Sequence, residues 1–215
     1  MSLRAGVLMF GCCVLALAGC GSKEDASEAN FGAAISSFLT ETGDLCLGFN
    51  IRQWPIDVAP GSLLASGQLE ALEAAGLVSS EPAAVDEKNI FGKPTGFRTA
   101  VKRYQLSDKG KTFYRELSRS GLFANAGEIK GGDFCYGKEA LDKVVKWEGP
   151  TKPGADQQVR VTYSYKINDL ADWAKAPSIA SAFPREAQIL AGAGKQNWKV
   201  IVKLTSAGWE VVSGH

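Results

Sequence analysis

Histidine is almost missing from this 215-residue chain, whose one copy is the last residue, His215. A serine–histidine nucleophile system or a histidine-built zinc site would have to recruit that terminus. HExxH, EF-hand and P-loop signatures are missing as well. We therefore expect no metal, no other cofactor and no enzyme of those classes. An excess of one charge is also lacking, because 24 basic residues face 23 acidic ones. That balance argues against a protein that coats nucleic acid, and no nucleic-acid partner is expected. No CxxC pair supports dithiol redox chemistry, and no repeat period unites the two halves of the chain.

Charge is missing again from Ala5 to Ser22, directly after the short basic leader Met1-Ser2-Leu3-Arg4. The apolar run that follows is short for a permanent span, which needs about 20 residues. A charged start, an apolar middle and small residues at the end fit a secretory signal. The run closes on Leu17-Ala18-Gly19-Cys20. This tetrad resembles the lipobox of bacterial lipoproteins. The resemblance implies cleavage before Cys20, a thioether-linked diacylglycerol on its sulfur, and acyl chains such as palmitate holding the protein to a membrane. Residues 1–19 are then the signal peptide. Gly21 stands where, in enterobacterial lipoproteins, an aspartate favours the inner membrane, so the resemblance points to the periplasmic face of the outer membrane. The inner membrane is the alternative.

Removing Arg4 with the leader leaves 23 basic residues against 23 acidic ones. Cys12 and Cys13 leave too, and Cys20 is consumed by lipid, so two thiols remain, Cys46 and Cys135. An even pair in an oxidising compartment reads as one disulfide. It would close a loop of about 90 residues and contribute about 4 to 5 kcal/mol. Two buried free thiols are the alternative.

Along the body, residues 20–30 read as a polar tether, with Asn30 capping a helix that buries Phe31, Ile35, Phe38 and Leu39. A second helix spans Leu63 to Ala75, and Gly76 closes it. Glu81 to Arg98 reads as a loop punctuated by Pro82, Gly92, Pro94 and Gly96. A strand over Thr99 to Leu106 and a helix over Asp108 to Ser118 follow, the latter weakened by Gly110. Glycines 127, 131 and 132 read as a flexible approach to Cys135. Strands are expected at Ala140 to Glu148, Gln158 to Ile167, Trp198 to Leu204 and Gly208 to Val212. The clearest is Gln158 to Ile167, with one apolar face and one wet face. Two short helical pieces fall between Asn168 and Ser181, and Ile189 to Gly194 reads as a loop.

The segment Leu69-Glu70-Ala71-Leu72-Glu73-Ala74-Ala75-Gly76-Leu77-Val78, with Tyr104-Gln105-Leu106-Ser107-Asp108-Lys109-Gly110, resembles winged-helix regulators. The resemblance covers residues 63–115 and implies a helix, a wing hairpin and a second helix. It departs from the DNA-binding pattern where contact would occur, because Leu63 to Ala75 holds two glutamates and no cation. The expected fold class is α+β: a winged-helix-like N-terminal part, residues 31–120, packed on a small antiparallel-sheet part, residues 121–215.

Candidate partner contacts are the cations Lys102, Arg103, Lys109 and Lys111, and Trp173 as an exposed aromatic beside Pro177. Asp44 and Asp57, or Asp169 and Asp172, are the acids a glycan hydrolase would need. The expected function is non-enzymatic: a lipid-anchored envelope protein binding a protein or peptidoglycan partner. A periplasmic glycan hydrolase or accessory factor, and an inhibitor or immunity lipoprotein, are the alternatives.

Overall fold

A computed structural model describes residues 22–62, 66–120, 128–149 and 158–214. Cys20 and the whole leader lie outside the described residues. The first element is α1 (Glu28–Thr42). Its cap is Ser27 rather than Asn30: the Ser27 hydroxyl accepts the Asn30 N–H at 3.2 Å. The Asn30 side chain instead donates to the carbonyls of Ser22 and Asp25, at 2.8 and 2.9 Å. The incoming chain is thereby folded back on the helix, and from Ser22 onward the expected tether belongs to the body.

After α1 come β1 (Asp44–Cys46), β2 (Ile56–Val58), α2 (Ser66–Ala74), β3 (Val78–Lys88) and β4 (Pro94–Leu106). Next are α3 (Asp108–Phe113), β5 (Tyr114–Ser120) and β6 (Glu128–Glu148). The chain ends with β7 (Gln158–Asn168), a 3-10 turn (Asp172–Lys175), α4 (Pro177–Ala182), α5 (Pro184–Gly192), β8 (Asn197–Thr205) and β9 (Gly208–Gly214). No helix among the described residues is long and apolar enough to cross a membrane.

The result is a mixed α+β fold around a curled antiparallel sheet, a half-barrel, ordered β1-β6-β7-β8-β9 with β5 also paired to β6. A second sheet is ordered β2-β4-β3. The long strand β6 joins the two regions. Its first half pairs with β5, from Tyr114↔Phe134 to Ser120↔Glu128, and its second half pairs with β7. Register shifts at Leu141/Lys143 and Val144/Lys146 bend it, as bulges do. Cys46 faces Cys135 across the β1–β6 ladder and the two are joined by a disulfide.

Two cores follow. In one, α1 lays Phe31, Ile35 and Leu39 on Val159, Val161, Tyr163, Val200 and Val202 of the curled sheet, all essentially without exposure. In the other, Leu69, Leu72 and Leu77 meet Tyr104, Phe134, Tyr136, Trp173, Ile179 and Phe183. Neither core belongs to one half of the sequence. The early elements α1 and β1 serve the late sheet, while α4 and the start of β6 complete the core around α2. The expected division into an N-terminal helical part and a C-terminal sheet is therefore replaced by interleaving.

Several local expectations change for identifiable reasons. Within Glu81 to Arg98 the chain is a hairpin, not a loop. The helix opened by Ser107 stops at Phe113, because Tyr114 to Ser120 finds a ladder partner in β6. Gly131 and Gly132 sit inside β6, not in a flexible approach: a Cβ on Gly132 would stand 2.2 Å from the Tyr114 ring. The segment after Phe183-Pro184 is helical, Pro184 supplying the fixed φ suited to a first turn. On β7, Thr162 and Ser164 are buried along with their apolar neighbours. The Ser164 hydroxyl donates to Asp142 at 2.7 Å, which satisfies a polar group on the face expected to be wet.

Candidate functional site: an apolar hairpin tip

Where β3 and β4 leave the body they form a finger. Val78↔Leu106 through Asp86↔Arg98 run in continuous antiparallel register. β2 flanks β4 only along Lys102 to Tyr104. From Asp86 to Arg98 every residue is exposed, so the outer part of the finger stands free on both faces.

The tip is built by Asn89. Its side-chain oxygen accepts the N–H groups of Phe91 and Lys93, each at 3.0 Å. Its carbonyl accepts the Gly92 N–H at 2.8 Å, and its own N–H donates to the Lys93 carbonyl at 2.9 Å. Asparagine is suited to this because its short amide can reach backbone groups along the turn. Gly92 supplies a φ of 75° that a side chain would strain. Just below, β4 carries extra residues opposite Glu87, between Lys88↔Pro94 and Asp86↔Arg98. The hydroxyl of Thr95 stabilises this bulge, donating to the Glu87 carbonyl and accepting the Phe97 N–H, each at 3.3 Å.

The tip holds Ile90, Phe91 and Phe97 in water at 93, 80 and 71% exposure. Clustered large apolar side chains of this kind mark interaction surfaces more often than scattered ones do. The surrounding charges are unequal. Arg98 pairs with Asp86 at 3.3 Å, and the Thr99 hydroxyl donates to the Glu87 carboxylate. Lys88 and Lys93 form no ion pair among the described residues. Glu87 keeps its charge in that hydrogen bond, so residues 86–98, with Asp86 and Glu87 against Lys88, Lys93 and Arg98, carry a formal net charge of +1 around three apolar side chains.

The expected basic docking face is arranged differently. Lys102 donates to Glu73 at 2.8 Å, a contact that raises the lysine and lowers the glutamate from their usual ranges. Arg103 makes a two-point bridge to Asp57, at 2.7 and 2.9 Å, which holds that carboxyl low. Lys109 donates to the Ala75 carbonyl at 2.7 Å, closing the end of α2, and Lys111 pairs with Asp108 at 2.8 Å. These four cations lie beside helix ends and acids of the body, each with a hydrogen bond inside the molecule, and Lys102 and Lys111 remain about half exposed or more.

Trp173 is not an exposed contact. The 3-10 turn directs it inward, 5% exposed, with ring centroids 5.7 Å from Phe113 and 6.4 Å from Tyr136. Three of the four acids considered for hydrolysis are engaged separately: Asp44 with Lys138 at 3.8 Å, Asp57 with Arg103, and Asp172 with Lys175 at 2.9 Å. The buried acids are Asp133, Glu139 and Glu186. Asp133 fixes a loop, its carboxylate accepting the Phe134 N–H at 2.8 Å. Burial pushes its carboxyl up, and backbone N–H groups of residues 48–50 and 134 oppose that rise. Glu139 accepts the Tyr163 hydroxyl at 3.1 Å. Among the described residues no group of three or more His, Cys, Asp or Glu side chains is placed to hold a metal.

Sequence reasoning missed the finger. The readable signal was Asn89-x-x-Gly92 enclosing Ile90-Phe91, with Phe97 shortly after, in an otherwise polar stretch. No family model matches this chain, and no curated protein or solved structure matches it either.

Proposed function

We propose that this chain is a non-enzymatic, lipid-anchored envelope protein that holds a second envelope component through the β3–β4 finger. The observation that carries the reading is the finger tip, with three apolar side chains in water beside the unpaired Lys88 and Lys93. Within the reading, α2, the hairpin and α3 form a winged-helix-like unit whose wing is the finger. Support comes from the order helix, hairpin, helix and from Ser107, whose hydroxyl caps α3 by accepting the Gly110 N–H at 2.9 Å.

The anchor is Cys20, on the strength of the lipobox resemblance. The geometry at Ser22 makes such an anchor consequential. The Trp209 indole N–H donates to the Asp25 carbonyl at 3.2 Å, so the strand β9 grips the incoming chain. Two residue steps separate Cys20 from Ser22, a reach of about 7 Å at most. An acylated Cys20 would hold the body on a short leash, with little freedom to drift from its membrane.

Metabolic labelling with a palmitate analogue tests the anchor: incorporation that depends on Cys20 is expected, and label retained by Cys20→Ser would sink it. In the same cells, Ile90→Ser with Phe91→Ser is expected to weaken association of the acylated protein with its second component. Unchanged recovery of crosslinked complexes in that variant would remove the finger from the reading.

A further inference from the structure

The chemistry of the tip selects among the components an envelope offers. A protein partner would need a preformed apolar groove to receive a convex wedge of three side chains, whereas a bilayer interface deforms around one. Amphipathic elements at that interface sink their apolar groups about 5–10 Å into the boundary between headgroups and acyl chains. The outer end of the finger, from Asp86 to Arg98, is exposed at every residue and so offers its side chains to such an interface.

Backbone polarity fits as well. Peptide groups that leave bulk water must carry their own hydrogen bonds. At the tip, the N–H groups of Asn89, Phe91, Gly92 and Lys93 are taken internally, by the Asn89 side chain or across the turn, which leaves the Ile90 N–H for water or headgroups. Charge then fixes the kind of bilayer. Asp86 is paired with Arg98 and Glu87 stays charged while it accepts the Thr99 hydroxyl; the exposed Lys88 and Lys93 leave residues 86–98 with a formal net charge of +1. Their long stems can lie along apolar surface while the ammonium groups stay at headgroup level.

Resting on the proposed reading of the finger as the contact site, we infer that its occupant is a phospholipid bilayer bearing anionic headgroups. Ile90, Phe91 and Phe97 enter the interface, and Lys88 and Lys93 meet phosphate and other anionic groups. The protein then touches lipid at two places, the acylated Cys20 and the finger.

The test uses the mature, acylated chain with Ile90→Cys carrying an environment-sensitive fluorophore. The other cysteines are occupied, Cys46 and Cys135 by their disulfide and Cys20 by lipid. The protein is reconstituted into phosphatidylethanolamine vesicles with or without phosphatidylglycerol. Insertion predicts blue-shifted emission and quenching by nitroxide-bearing lipids when phosphatidylglycerol is present. Lys88→Gln and Lys93→Gln should each lower the ratio of inserted to free finger about five-fold, and Phe91→Ser with Phe97→Ser should abolish insertion. A fluorophore that remains in water on both vesicle types, on protein that still pellets with them, overturns the bilayer inference and leaves the anchor standing. Protein that fails to pellet at all overturns both. In whole envelopes, a photo-crosslinker at position 90 that captures a protein and no lipid would assign the finger to a protein groove instead.

Discussion

A Cβ placed on Gly110 would stand 1.8 Å from the carbonyl oxygen of Leu77. The first turn of α3 lies directly on the chain leaving α2, and only a hydrogen fits between them. Sequence reasoning saw this glycine as a weakness in a helix, whereas it permits the contact that closes the base of the finger. Gly110→Ala should lower stability by about 3 kcal/mol or more, since the obstacle is backbone and cannot rotate away. Gly67, in α2, has nothing within 4 Å of its Cβ position. Gly67→Ala should therefore stabilise by about 0.5–1 kcal/mol. Urea unfolding of the two variants checks both signs, and equal effects would mean that the close approach is not what holds Gly110.

The disulfide joins residues 89 apart in sequence. Cys46→Ser with Cys135→Ser should lower unfolding free energy by about 4 to 5 kcal/mol through the entropy restored to the unfolded chain. Denaturant midpoints of the oxidised protein and the double variant measure this. Coincident midpoints would show that the β1–β6 pairing supplies the restraint without the bond.

Acid should act through two opposed groups of carboxylates. Glu73 and Asp57 are held below their usual values of 4.5 and 3.8 by Lys102 and Arg103. Their folded-state values are depressed, so the stability they add is fully present above those usual values and is lost as pH falls through the depressed ones. Asp133 runs the other way, because burial raises it; its charge costs stability near neutrality, and that cost disappears as the group protonates. Glu73→Gln should make the protein less sensitive to acid below the usual glutamate value. Asp133→Asn should remove the opposing component and make the acid loss steeper. Unfolding curves collected from neutral pH downward separate the two, and parallel profiles for both variants would contradict this assignment.

Substitutions at the tip should leave the fold alone. Ile90, Phe91 and Phe97 touch water, so replacing each with serine should change stability by no more than about 0.5 kcal/mol. Tyr104, lower on the same hairpin and 1% exposed, should cost about 3–5 kcal/mol when cut to alanine. Thermal unfolding of the four variants provides the comparison, and a destabilised tip would mean that those side chains serve the finger's own structure.

Parts of this architecture were legible in the sequence because they are governed by local pattern. Val159, Val161, Tyr163 and Tyr165 announce β7 by alternation, and Trp198, Val200 and Val202 do the same for β8. The pairing of Cys46 with Cys135 was readable from the count of thiols left once the expected leader and Cys20 are set aside. The finger was not, for a physical reason: with both faces wet, no apolar alternation is required of it, and its prolines, glycines and charges resemble a loop. Tyr114 to Ser120 turns from helix to strand because the segment from Glu128 to Phe134 folds back to pair with it, a pairing that the helical spacing of Phe113, Tyr114 and Leu117 does not announce. The cations of β4 looked available, yet folding sets Lys102 beside Glu73 and Arg103 beside Asp57. Trp173 went inward because the core around α2 is completed by the second half of the chain.

The hydrogen bond from Trp209 to Asp25 spans 184 residues, which gives the molecule a timetable. A chain emerging from its amino end presents Asp25 well before Trp209, 184 residues further on. Through that interval nothing from β9 grips Asp25, and the Asn30 side chain alone ties the carbonyls of Ser22 and Asp25 to α1. Arrival of the final strand cinches this junction. Under the proposed anchoring, lipid attached before β9 arrives meets the less restrained junction, and a variant with a weakened β9 would lengthen that period.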